Sequence, residues 1–310
     1  MIAEQINYKI MQSFTIENIP DLDTCVFGAL ELFHKEKIPQ INISYQRPLV
    51  VGSGNAEVTG RIIFHDTDAV FASESSVEEK LKTIKNIDGV VIISASGGKH
   101  APIIAKLVKK YKKSVTLFTN NEKAETKKYV DEIFVFPKQR EPYTYNTSTY
   151  LGMILGKTKE RPKEIYNFIN EKLSKLNFDI LRDYDKYFLI ISSEFEPIKR
   201  MFQIKFIELF GRRIARDIET IEYMKHATTV VPSHELFVSF GVEDTILGNK
   251  ENNFYVPLPK NADYGMVMAI GYYIIGKIQK SQHHWFKENL VAYTERANKL
   301  FKTGIKPIVE

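Results

Sequence analysis

The run Ser94-Ala95-Ser96-Gly97-Gly98-Lys99 follows directly on the apolar Val90-Val91-Ile92-Ile93 and precedes a helical pattern beginning near His100. A strand that ends in glycines and opens a helix aims free backbone N–H groups at one point, where the helix dipole also favours negative charge. The hydroxyls of Ser94 and Ser96 add neutral donors and Lys99 a cationic one, a combination that suits a phosphate. A second loop of this kind, Gly52-Ser53-Gly54-Asn55, follows the apolar Leu49 to Val51. Two such loops at the carboxyl ends of neighbouring strands form the ligand crevice of a doubly wound sheet. Taken singly, serines and glycines after a strand serve equally as turn and capping chemistry, so it is their pairing that favours a ligand. A dinucleotide is disfavoured, because Glu57 stands where the third glycine of G-x-G-x-x-G belongs.

The surrounding pattern supplies the elements these loops need. Leu49 to Val51, Ala69 to Phe71, Gly89 to Ile93, Val115 to Phe118 and Ile133 to Phe136 read as strands, separated by amphipathic stretches in the rhythm of a parallel sheet. In one of those stretches Ala101, Ile103, Ile104, Leu107, Val108 and Tyr111 give one apolar face, with Lys106, Lys109, Lys110 and Lys112 mostly on the other. A polar segment, Gly156 to Lys163 with Pro162, marks a boundary between a first domain, 1–160, and a second, 161–310. The α/β rhythm then restarts: a strand over Lys186 to Ile191, a long helix from Glu196 to about Arg216, and strands over Thr228 to Val231 and Phe254 to Leu258. The fold class is therefore α/β, with two doubly wound parallel-sheet domains in tandem and no residue-level repeat between them. The first forty residues read as helical, with Val26, Leu30, Leu32 and Phe33 packing against the first sheet.

Composition narrows the ligand. The 310 residues are 44% hydrophobic and 26% charged, as in a folded globular protein. A formal charge of +5 over 43 basic and 38 acidic residues, without a basic strip interleaved with aromatics, favours a small anion over nucleic acid. Cys25 is the only cysteine, so no intrachain disulfide or thiolate cluster forms, which fits a reducing, cytoplasmic compartment. The start lacks the pattern of a signal peptide, and the apolar run Tyr264 to Ile278 is too short to span a bilayer and reads as a buried helix. His283-His284 is a weak metal signal, because adjacent helical residues point in different directions and only Glu288 lies at a useful offset.

The two loops, G-S-G-N and S-A-S-G-G, followed by the strand Val115 to Phe118 and Thr119, resemble those of the sugar isomerase (SIS) domain family of phosphosugar-binding proteins. In the second half Gln203-Ile204-Lys205-Phe206-Ile207-Glu208 is similar to the A-L-K-x-x-E helix of the isomerase part of glucosamine-6-phosphate synthase, and Asn298 to Thr303 to its C-terminal tail. The resemblance runs from about residue 48 to residue 303. It implies a phosphorylated sugar held by Ser94 and Ser96, Glu208 as the base that moves a proton between C1 and C2, and Lys302 against the open-chain sugar. It also implies a ring-opening histidine downstream of the base, here His234, and a homodimer needing neither metal nor redox cofactor. The spacing departs from the family by about ten residues between Glu208 and His234, which leaves Glu219 as an alternative base; Glu235 is another. Lys99 replaces a threonine of the family pattern and Ala56 a serine. The hydroxyl-rich Glu141 to Tyr150 corresponds to a segment that closes over the sugar, making Thr147 and Thr149 contacts unless they only cap a helix.

Aldose–ketose isomerisation asks for a base beside the carbon acid, donors for the enediolate and a group to open the ring. Glu208 lies beside the face made by Ile198, Met201, Phe202, Lys205 and Leu209, where burial raises a carboxyl pKa, or else forms an ion pair with Lys205 or Arg212. The reading is an aldose–ketose isomerase of a sugar phosphate. The alternatives are a phosphosugar sensor without turnover, and a deglycase or deaminase of an amino-substituted sugar phosphate.

Overall fold

The computed structural model describes residues 5–227, 234–243 and 250–310. The strands are β1 Pro48–Val51, β2 Val70–Ala72, β3 Gly89–Ile93, β4 Ser114–Thr119, β5 Glu132–Val135, β6 Glu141–Pro142, β7 Lys186–Ile191, β8 Ala215–Thr220, β9 Leu236–Phe240, β10 Asn253–Val256 and β11 Ile308–Val309. The α-helices are α1 Ile6–Ser13, α2 Leu22–Lys35, α3 Asn55–Ile63, α4 Val77–Thr83, α5 His100–Lys110, α6 Thr147–Thr158, α7 Pro162–Glu171, α8 Lys199–Phe210, α9 Ile221–Ala227, α10 Tyr264–Ser281 and α11 Trp285–Phe301. No described helix is long and apolar enough to cross a membrane.

Two parallel sheets dominate. The first has the order β2-β1-β3-β4-β5, and the second, written from its other edge, β8-β7-β9-β10. Counted from its own first strand, each runs 2-1-3-4, so the halves repeat a topology that their residues do not repeat. This is the doubly wound order, with its switch point between the first and third strands. β1 pairs with both β2 and β3 in parallel register, Leu49 against Val70 and Val90. Strands covered on both faces read as continuous apolar runs, and β1 and β3 are buried at every position. Leu49, Val51, Val90, Ile92, Val115 and Leu117 pack on one face of the first sheet with Ala101, Ile104, Ala105 and Val108 of α5.

The chain forms two compact units that are discontinuous in sequence: 33–138 with 148–159, and 1–32 with 139–147 and 160–310. The leading helical segment thus groups with the second sheet's unit, not with the first sheet as its position in the chain suggested. The reason lies in α10, which is buried around most of its circumference and needs cover on more than one side. Phe27 of α2 meets Tyr273 edge to face, with ring centroids 5.7 Å apart. A Cβ on Gly276 would lie 2.2 Å from the Asp23 backbone nitrogen, so this close approach requires glycine.

Two further expectations are corrected. The helix foreseen from Glu196 to Arg216 stops at Phe210, where Gly211 turns at φ 58°, and the chain continues as β8. β8 is an edge strand with alternating exposure, and its charged ARDIET reads locally like the surface of a helix. The buried β9 was not foreseen, and the strand foreseen over Thr228 to Val231 lies outside the described residues.

Candidate functional site

In the first unit, the turns after β1 and β3 meet at one pocket of about 160 Å³. Gly52, Ser53, Ser94, Ala95, Ser96, Gly98 and Lys99 line it, at the carboxyl ends of the two strands that flank the switch point. The loop is held from outside. Ser94 O accepts from Gly97 N at 3.1 Å, Ala95 O from Asn120 N at 3.0 Å and Thr119 Oγ1 at 2.9 Å, and Gly97 O from Thr126 Oγ1 at 2.6 Å. Ser96 O accepts from Asn121 Nδ2 at 3.0 Å. With these carbonyls turned toward the flanking segment, the N–H groups of Ala95, Ser96 and Lys99 have no acceptor among the described residues. Such a row of unpaired donors at a helix start forms an anion nest.

Two backbone positions shape this nest. Gly97 turns at φ 58°, and a Cβ there would lie 2.4 Å from Ala124 Cβ. Lys99, the residue before α5, also has positive φ, 54° with ψ −107°, a conformation that L-residues rarely adopt. Gly54 holds the same place before α3, at φ 57° and ψ −128°. The two turns are therefore built alike, one with the natural residue and one with a strained lysine. Asn55 opens α3 and is buried, with its Oδ1 unpartnered among the described residues.

Sequence reasoning missed Glu74, His100 and Tyr150, which also line this pocket. Glu74 follows β2 and faces His100, with 3.5 Å between its Oε2 and His100 Nδ1. The carboxyl-end rule that singled out the loops after β1 and β3 extends to the one after β2 and would have found it. Thr147 is fully enclosed at the start of α6, where its N–H donates to Glu141 Oε2 at 2.7 Å, and Thr149 is 6% exposed. It is Tyr150, not either threonine, that reaches the pocket.

The catalytic candidates lie in the other unit. The apolar face of α8 beside Glu208 is buried: Ile198, Met201 and Phe202 are fully enclosed and Leu209 is 2% exposed. Glu208 Oε2 accepts from Lys205 Nζ at 2.7 Å. Lys205 is fully enclosed and also donates to the carbonyls of Thr144 and Tyr145, at 2.5 and 2.7 Å. Burial pushes the Glu208 carboxyl above the usual carboxylate range, against the pull of Lys205. His234 stacks on Tyr184 at 4.7 Å, and its Nε2 lies 3.2 Å from Asp183 O. It precedes β9, at the amino side of the second sheet, with partners separate from those of Glu208. Glu219 is on β8 and pairs with Lys199 at 2.9 Å. Glu235 stands just before β9, where its carbonyl accepts from Asn252 Nδ2 at 3.2 Å. Lys302 is exposed in the left-handed residue that ends α11, φ 50°. Past it, β11 pairs with β6, stitching the tail to the 141–145 segment that Lys205 holds.

No family model and no curated protein sequence matches the chain. Solved structures do. Glucosamine-6-phosphate deaminase from Thermotoga maritima superposes with a TM-score of 0.59 at 15% identity, over 84% of this chain and 92% of that one. The C-terminal domain of glucosamine-fructose-6-phosphate aminotransferase from Francisella tularensis gives 0.57 at 11% identity, over 87% and 98%. A protein provisionally assigned as a tagatose-6-phosphate ketose/aldose isomerase from Clostridium novyi NT gives 0.56 at 12% identity, over 99% and 90%. TM-scores of 0.56 to 0.59 over 84–99% of this chain, together with its own two 2-1-3-4 strand orders, make its fold the tandem, doubly wound SIS-like fold.

Proposed function

We propose that the chain binds a phosphorylated sugar at the Ser94–Lys99 nest and acts on it as an aldose–ketose isomerase, with Glu208 as the base. One observation carries the binding half: two strand-to-helix turns of matching backbone form converge at the switch point of the first sheet and leave N–H donors, serine hydroxyls and Lys99 around one pocket. The phosphate occupies the nest and the sugar extends toward the exposed rim of Ser53, Ser96 and Lys99. Lys99 takes over the part of the hydroxyl it replaces by adding a charge-assisted bond. Glu208 suits proton transfer because burial brings its pKa nearer to neutral operating pH, where a general base works best. The names of the fold neighbours, a sugar-phosphate deaminase and an isomerase, agree with this substrate class.

A second reading, turnover of an amino-substituted sugar phosphate, is favoured by Glu74, a carboxylate in the anion pocket that faces His100 and suits a substrate ammonium. Exchange of the C2 proton with deuterated solvent, followed by NMR for a panel of sugar phosphates and their 2-amino counterparts, tests both. Exchange that vanishes in Glu208→Gln supports the isomerase. Thermal stabilisation by a sugar phosphate that is lost in Ser96→Ala, without exchange in any sugar, leaves binding and removes the catalytic assignment.

A further inference from the structure

The second unit contains a larger pocket, about 420 Å³, lined by residues of that unit alone. Its walls come from the last turn of α8 and the first half of α11, with Trp285, Phe286, Leu290 and Tyr293 presenting apolar and aromatic surface. Three polar side chains interrupt that surface, Glu208, Thr144 and Asn289, the last already donating its Nδ2 to Trp285 O at 2.8 Å. Glu208 has one oxygen committed: Oε2 accepts from Lys205, while Oε1 has no partner among the described residues. Thr144 Oγ1 is enclosed and also unpartnered. The Thr144 backbone sits at φ 78°, an unusual conformation for a β-branched residue, held there while its carbonyl takes Lys205 Nζ at 2.5 Å.

An enclosed hydroxyl without any partner costs about 1–3 kcal/mol, and a bound donor to its oxygen recovers part of that cost. A carboxylate in a pocket walled by aromatic side chains has a definite preference among small polar heads. A protonated amine gains the charge of the carboxylate, donates to the hydroxyl oxygen and meets the negative faces of the rings. A carboxylate or phosphate head meets repulsion from Glu208. The walls then select the remainder of the ligand, an aromatic or branched aliphatic body.

We infer that the pocket between α8 and α11 is a binding site for a small organic ammonium, an amine carried on an aromatic or branched aliphatic group, with Glu208 and Thr144 as its polar anchors. The inference uses residues of the second unit and shares Glu208 with the isomerase reading, but Trp285 fluorescence tests it and C2-proton exchange tests that reading, so each can fail alone.

Trp285 is the only tryptophan in the chain and lies in the pocket wall, so its fluorescence reports occupancy directly. The full-length protein is titrated with three probes of one shape and different charge: phenethylamine, 2-phenylethanol and 3-phenylpropionate. The expected result is a saturable change with the amine at roughly tenfold lower concentration than with the alcohol, and a still weaker response to the carboxylate. Glu208→Gln brings amine and alcohol to within about twofold of each other, since it keeps the shape and removes the charge. Tyr293→Ala, at a position 51% exposed and so tolerant of truncation, weakens all three probes alike. Equal response of the wild type to amine and carboxylate, or no saturable response to any probe, overturns the assignment whatever the variants do. A Trp285 signal that changes on dilution of the protein and ignores all three probes also overturns it, and gives the pocket to a second copy of the chain instead.

Discussion

Lys99 holds a backbone conformation that its twin turn gives to Gly54, and a non-glycine residue there costs about 1–3 kcal/mol. The side chain must return something for that strain, and its position on the pocket rim indicates that the return comes from the ligand. Lys99→Gly therefore raises the stability of the ligand-free protein by about 1 kcal/mol, after the added freedom of the unfolded glycine is counted. It weakens sugar-phosphate binding by about tenfold through loss of one charge-assisted bond. Urea unfolding with and without ligand checks both signs, and a variant less stable than wild type without ligand refutes the strain argument. At Glu208 the relevant measurement is the acid limb of the exchange rate. The folded carboxyl titrates above its unfolded value of about 4.3, and only the ionised form accepts a proton. Exchange should thus rise with pH through a midpoint above about 4.3, with Lys205 behind the carboxylate opposing the shift and Tyr143 and Tyr293 nearby. A midpoint at or below that figure, or an unchanged limb in Glu208→Gln, removes Glu208 from the base's place. The nest was legible in the sequence because a strand, two serines and two glycines are contiguous there. Glu74 was within reach of the same carboxyl-end rule applied after β2, whereas Tyr150 could be narrowed only to the hydroxyl-rich 141–150 segment, because the fold alone decides which of its residues meets the pocket.

At the scale of elements, legibility followed burial pattern. β1, β3, β4 and β7 were readable as continuous apolar runs, because a central parallel strand is covered on both faces. β8 was lost inside a foreseen helix because an edge strand half open to solvent carries the charges of a helix surface, and only Gly211 marks the break. Where α2 docks was illegible for another reason, since its apolar stripe says that it packs and not on what. The contact that fixes it is ionic. Asp23, whose side chain is 4% exposed, takes Lys280 at 2.7 Å and Lys277 at 2.8 Å from α10. Burial alone would raise this carboxyl, but the two lysines outweigh it and hold it below the ordinary range. A carboxyl depressed in the fold contributes stability above its unfolded pKa of about 3.9, and that contribution fades as pH falls through the folded value. Asp23→Asn costs about 2 kcal/mol at neutral pH, between the values for exposed and fully buried pairs because the lysines remain partly in solvent. The gap between wild type and variant should narrow as urea titrations move below about pH 3.9. A gap that stays constant from pH 7 to pH 3 would mean that Asp23 acts through packing alone.

At the scale of the molecule, the α/β alternation revealed two halves but not how the chain shares itself between them. A reader of the sequence places a single boundary near Gly156 to Lys163, whereas the compact units exchange segments at 32, 138, 147 and 159. No local signal marks such a division, because it depends on which distant surface covers α10. The second sheet's unit draws its closure from α2, from Tyr145, whose hydroxyl donates to Pro20 O at 2.8 Å, and from Gln279, whose Oε1 accepts from Leu22 N at 2.9 Å. A fragment of residues 161–310 lacks all of the partners on the 1–32 and 139–147 segments. It leaves one side of α10 uncovered, with Tyr272, Tyr273, Ile274 and Ile275 among its enclosed residues. At about 1.5–3 kcal/mol for each large apolar side chain returned to water, a few such losses are comparable with the 5–15 kcal/mol by which domains are usually stable. The fragment should show helical circular dichroism, bind a hydrophobic dye and lack a cooperative thermal transition. Residues 33–159 retain β1 to β5 with α3 to α5 and the core around Val90, Ile92 and Ala105, and should unfold cooperatively. That second fragment also retains every residue of the anion nest, so a sugar phosphate that stabilises it alone would separate phosphate recognition from catalysis within one chain. If 161–310 instead melts cooperatively, the boundary at 160 is the thermodynamic one and the segment 1–32 is a dispensable cover.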